Sequence, residues 1–196
     1  MSKWDNTVKF LQKEIKGFNV NEKDGVWHQA FLGKLLFFSK YMRMWTTLYP
    51  KVWKPKGRFN DYGVLQHEGV HLIDAQTLYG TFKPLPVLKW INVILFSMIY
   101  ISPQIFALLA LGAIGGNLWW LLSLLFLLPW PSPGRMWTEV RAYRRTRELG
   151  SSVEGMVENF TKEKYYFMWP FPNHVRKLLK KSSPYKNEMD EIINRE

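Results

Sequence analysis

Residues 66–71 read Gln-His-Glu-Gly-Val-His, an H-E-x-x-H pattern. On a helix, positions four apart share a face, so His67 and His71 can direct two imidazole nitrogens at one metal ion. Glu68 then stands beside the open coordination position, placed to take a proton from a water activated by the metal. That is the chemistry of metal-assisted hydrolysis. The chain contains no cysteine, which excludes thiolate zinc sites, iron–sulfur ligation, disulfides and a cysteine nucleophile. Any metal must be held by histidine and carboxylate.

Two histidines leave a third ligand to be found. No further ligand histidine follows His71 at short range, so the metzincin spacing is absent. The candidates are Asp74, Glu139, Glu148, Glu154, Glu158 and His174. Glu139 is singled out by its surroundings, Trp137-Thr-Glu-Val-Arg-Ala-Tyr143. It falls in the first half of a predicted helix, and Ala142 lets that helix come close to the one carrying the histidines. Tyr143, one turn from Glu139, is a candidate catalytic hydroxyl. Asp74, three residues after His71, reads either as an acceptor that fixes a ligand imidazole or as a solvated helix charge. His174, beside Pro170 and Pro172, reads as a surface histidine rather than a catalytic one.

The order H-E-x-x-H, then a hydrophobic hairpin, then a helix with E-x-x-A resembles the HtpX and CAAX-prenyl endopeptidase family of membrane zinc peptidases. These are gluzincins, with two histidines and one glutamate on zinc. The family's third-ligand motif is E-x-x-A-D; here Tyr143 stands where that Asp would be. The resemblance covers residues 60–150. It implies a zincin-like core, Zn²⁺ on His67, His71 and Glu139, Glu68 as general base, and a strand before the active-site helix that offers its edge to an extended peptide.

The elements that must position these residues follow from periodicity and punctuation. Asn60 or Asp61 caps a helix over about 62–79, with Gly80 as its stop. Ser132-Pro133 starts another, ending at Gly150. Ser2 caps a first amphipathic helix in which Trp4, Val8, Leu11 and Ile15 share a face. Residues 30–38 and 41–49 read as two strands with a tight connection. Residues 19–25 and 50–60 read as loops. Ser151 with Glu154 resembles a capping box. The expected fold is α+β and mostly helical: one zincin-like domain over residues 1–196, with a small antiparallel sheet and an inserted hydrophobic helical hairpin at 85–131.

The formal net charge is +11, yet residues 90–134 contain no Asp, Glu, Lys, Arg or His. A block of that length can hold two membrane-spanning helices or a re-entrant pair. His67 and His71 precede it and Glu139 follows it, so shared ligation puts both ends on one side. Lys83 and Lys89 before it and Arg135, Arg141, Arg144 and Arg145 after it place that side in the cytoplasm by the positive-inside rule. The expected location is therefore a membrane, with the site on its cytoplasmic face. The block is surrounded by lipid or by partner proteins, and the basic run after it contacts anionic lipid. No nucleic-acid motif accompanies the charge. Two functions fit: a zinc endopeptidase acting on a peptide or protein substrate, or a structural or anchoring component, as of a viral particle, that retains the scaffold.

Overall fold

The computed structural model describes residues 2–35, 41–78, 86–101, 104–128, 130–162 and 168–193. Helix α1 (Lys3–Glu14) opens on a reciprocal cap. The Ser2 hydroxyl accepts from the Asp5 N–H, and the Asp5 carboxylate accepts from the Ser2 N–H. From its apolar stripe Leu11 and Ile15 go fully into the core.

Strands β1 (Asn19–Glu22), β2 (Thr46–Leu48) and β3 (Lys51–Lys54) form a mixed sheet in the order β1-β3-β2. β1 runs parallel and β2 antiparallel to β3. The all-antiparallel expectation fails because the strands are elsewhere. Residues 27–35 form helix α2 (Trp27–Leu35), whose Trp27 and Phe31 stay exposed, while 36–38 lie outside the described residues. Only 46–48 of the second expected strand is extended, after a short 3-10 turn at Tyr41–Arg43. Both β1 and β3 come from segments read as loops. β3 earns its place by burying Val52 completely and Trp53 nearly so; β1 is held by its ladder to β3 and by Val20, its one apolar side chain, which packs on the α3-side cluster.

Helix α3 (Tyr62–Thr77) carries the H-E-x-x-H pattern. Asp61 caps it by accepting from the Gly63 and Val64 amides at 2.8 and 3.1 Å. It ends at Leu78, in the left-handed region at φ 44°; the expected stop, Gly80, lies outside the described residues. Every residue from Leu65 to Ala75 is buried, so α3 is packed on all sides and shows no polar stripe. Helix α5 (Pro133–Glu148) crosses it and separates two apolar clusters. Ala142 joins Leu11, Leu65, Val70 and Leu72 on the α3 side. Met136, Val140 and Tyr143 join α6 (Val153–Thr161) and α7 (Pro172–Leu179) on the other. The capping box expected at Ser151 is absent: Ser152 is the cap, without a side-chain bond, and Glu154 pairs with Arg176. Helix α8 (Lys186–Ile193) closes over α1 and sends Met189 into the α3-side cluster.

The apolar block is three segments, not two spans. Helix α4 (Pro86–Ile101) is followed by 3-10 helical arms at Gln104–Gly115 and Leu118–Leu127. The arms lie antiparallel: the Phe106 and Phe126 rings meet at 5.3 Å, and Trp120 packs over Gly112. Among the described residues no helix is long and apolar enough to cross a membrane. Sixteen α-helical residues reach about 24 Å, and 3-10 arms of twelve and ten residues reach about 24 and 20 Å, short of a hydrocarbon core of about 30 Å. The expected transmembrane pair is thereby overturned, and with it the membrane location with cytoplasmic flanks. Two of the arginines after the block are turned inward rather than toward a surface. Arg144 and Arg145 are buried; Arg144 donates to the Leu178 carbonyl, and Arg145 to Gln66 and Asp190.

The middle of the pattern, Gly69, is where α1 presses on α3. A Cβ there would lie 3.1 and 3.3 Å from the two Leu11 methyls. We therefore expect Gly69→Leu to overpack this contact and cost about 1–3 kcal/mol, read as a lowered urea midpoint with unchanged m-value.

Candidate metal centre

His67 and His71 leave one face of α3, their rings edge to face with centroids 5.1 Å apart. Glu139 leaves α5 directly opposite. Its Oε2 lies 3.5 Å from His67 Nε2 and 3.8 Å from His71 Nε2. These separations are too long for hydrogen bonds. They suit a tetrahedral ion, because two atoms each about 2.0–2.1 Å from a shared centre are about 3.4 Å apart. One donor atom from each of the three residues falls within 4.8 Å of the others, and all three residues are buried. Glu139 Oε2 has no hydrogen-bond partner among the described residues. A buried carboxylate oxygen without a donor is costly. A cation between the three residues removes the cost, so the residues fit a metal.

The electrostatics agree. Burial pushes the Glu139 carboxyl up, but the two histidines together outweigh it and hold the group well below the usual carboxylate range. Burial pulls the His71 imidazole down, and Glu139, with Glu68 and Asp74 farther off, more than reverses this. The pocket keeps its carboxylate ionised beside the two histidines.

Hydrogen bonds orient His67, Glu139 and Glu68, whereas His71 Nδ1 has no partner among the described residues. The Thr146 hydroxyl is 3.0 Å from His67 Nδ1, leaving Nε2 to face Glu139. The Tyr100 hydroxyl donates to Glu139 Oε1 at 2.6 Å. The Thr47 hydroxyl, on β2, donates to Glu68 Oε2 at 2.5 Å. Tyr143 meets His67 through its ring, centroids 4.6 Å apart, while its hydroxyl accepts from Asn159 at 3.0 Å.

None of the other candidate ligands joins this group. Asp74 takes a bidentate pair from Arg141, both contacts 2.7 Å, and a third bond from the Tyr185 hydroxyl at 2.7 Å. It is neither an acceptor for a ligand imidazole nor a solvated charge. Glu148 accepts from Arg145 and from the Ser183 N–H. Glu154 pairs with Arg176 and Glu158 with Lys162. His174 is exposed and accepts from the Trp169 indole.

Thr146, Tyr100 and Thr47 were not singled out from the sequence. Thr146 carried a signal: it stands seven residues after Glu139, two turns along the same face of α5. Tyr100 carried another, as the one tyrosine in residues 90–134. Thr47 carried none. No family model, no curated protein and no solved structure matches this chain.

Asp74 and Arg141 tie α3 to α5 one turn beyond the site, and both are largely buried, with side chains 0% and 12% exposed. Asp74→Ala removes the carboxylate that takes two bonds from the Arg141 guanidinium and one from Tyr185. The expected cost is about 3–5 kcal/mol, measured by chemical denaturation of the metal-free protein.

Proposed function

We propose that this chain is a zinc-dependent endopeptidase of gluzincin type. The observation that carries the reading is the convergence of His67, His71 and Glu139 in one buried group, with Glu68 on the same helix turn. Two imidazoles and one carboxylate are the donor set of a catalytic zinc, which keeps a fourth position open. When bound, zinc would polarise a scissile carbonyl and acidify water at that position.

The chain's own residues supply the rest. His67, His71 and Glu139 would hold the ion. Glu68 would accept the proton of the attacking water and return it to the leaving amine. The Thr47 hydroxyl, already bonded to Glu68, would hold that carboxylate in place. Tyr143 would brace the His67 ring, and its hydroxyl, which accepts from Asn159, keeps its own proton to donate toward the site. β2 is an edge strand of the sheet and bears Thr47. An extended peptide added to that edge would pass Glu68, which supports a peptide as substrate.

One observation favours a second reading, a structural component that keeps the scaffold. His67, Glu68 and His71 are only 6–8% exposed and Glu139 only 2%. A group so enclosed serves equally as an internal metal staple between α3 and α5.

The two readings separate in one experiment. In the peptidase reading, Glu68→Gln keeps the fold and one equivalent of zinc but loses about 10²–10⁴ in rate on a peptide library. His71→Ala loses the zinc itself. Equal turnover by Glu68→Gln and the wild type would sink the mechanism. Zinc binding with no cleavage by either protein would leave the staple.

A further inference from the structure

Glu139 has two carboxylate oxygens and they are treated differently. Oε2 faces the two histidines without a donor, whereas Oε1 is taken by the Tyr100 hydroxyl at 2.6 Å. Tyr100 comes from α4, the last described helical turn before the 3-10 arms. Its own position is set from three sides. Phe96, one turn earlier, stacks with it at 6.4 Å and 23°. The Arg135 guanidinium lies 5.4 Å from its ring centre. Gly134 admits α4 to α5, since a Cβ there would collide with the Ile99 carbonyl. Both Phe96 and Tyr100 also approach His71, ring centroids 6.4 and 6.1 Å away.

We propose that Tyr100 is a positioning residue of the metal centre, which occupies Glu139 Oε1 and so presents Oε2 alone to the ion. The proposal rests on the metal reading of His67, His71 and Glu139. A carboxylate free at both oxygens can rotate about its last torsion or ligate through both. One fixed by a phenol donor ligates through the other oxygen only, which leaves the fourth position of a tetrahedral ion open for water or substrate. The apolar block thereby contributes to the centre: α4 supplies the donor, and its packing on Gly134 sets the donor's reach.

Tyr100→Phe removes one oxygen and leaves the ring in its slot between Phe96 and Arg135. Zinc affinity of the full chain is measured by chelator competition, with circular dichroism confirming the fold. The expected result is a loss of about 10–100-fold in zinc affinity. In a Glu139→Ala background the same change should have no further effect, because Tyr100 acts through Glu139. Unchanged affinity in Tyr100→Phe, with the wild type binding one equivalent, overturns this proposal and leaves the metal reading standing. An equal loss in the Glu139→Ala background also overturns it, since the effect then arises from α4 packing. A wild type that binds no zinc overturns both.

Discussion

The structure depends on how α3 and α5 cross. A buried carboxylate has to meet two buried imidazoles, and burying that carboxylate alone costs several kcal/mol. Polar contacts from the two α5 turns after Glu139 fix the register of that crossing. Arg145, fully buried, donates to Gln66 at 2.6 Å next to His67. Arg141 clamps Asp74 three residues after His71. Thr146 meets His67 between them. A shift of α5 by one residue would break all of these contacts together, so the helix pair has one well-defined arrangement.

The rest of the chain holds that pair from outside. α1 presses Leu11 onto Gly69, and Gln66 reaches back to Thr7 of α1 at 3.2 Å. α8 adds Asp190 to Arg145 and Met189 to the core. The sheet brings Thr47 to Glu68. α4 covers the remaining side with Phe96 and Tyr100. A +11 chain thus uses several of its arginines as internal ties. The large apolar surface that stays exposed is on α4 and the two 3-10 arms, where Trp90, Ile94, Leu111, Ile114 and Trp119 face outward.

Much of the candidate site was legible in the sequence because it depends on short-range spacing. Four residues separate His67 from His71, which fixes a shared helix face whatever else the chain does. Ala142, three residues after Glu139, marked a close helix approach, and it is fully buried on the α3 side. What failed depended on long-range partners. β1 has a single apolar residue, Val20, too little alternation to mark a strand, and is fixed by its ladder to β3. Aromatic and aliphatic residues at 30–35 suggested a strand, but without a partner strand they form α2. The uncharged run at 90–134 predicted spans, since composition does not show where an α-helix gives way to 3-10 geometry. Neighbouring sequence offers Asp74 a ligand imidazole or solvent; its actual partners, Arg141 and Tyr185, come from 67 and 111 residues away.

The central claim is that His67, His71 and Glu139 together hold one metal ion. Zinc-edge X-ray absorption on the protein loaded with one equivalent tests it most directly. The expected result is stoichiometric, dialysis-resistant zinc with two imidazole nitrogens and a carboxylate oxygen at about 2.0–2.2 Å, and loss of the carboxylate oxygen from that shell, with weaker zinc binding, in Glu139→Ala. Failure to retain zinc, or a retained ion whose shell is unchanged in Glu139→Ala, would contradict it.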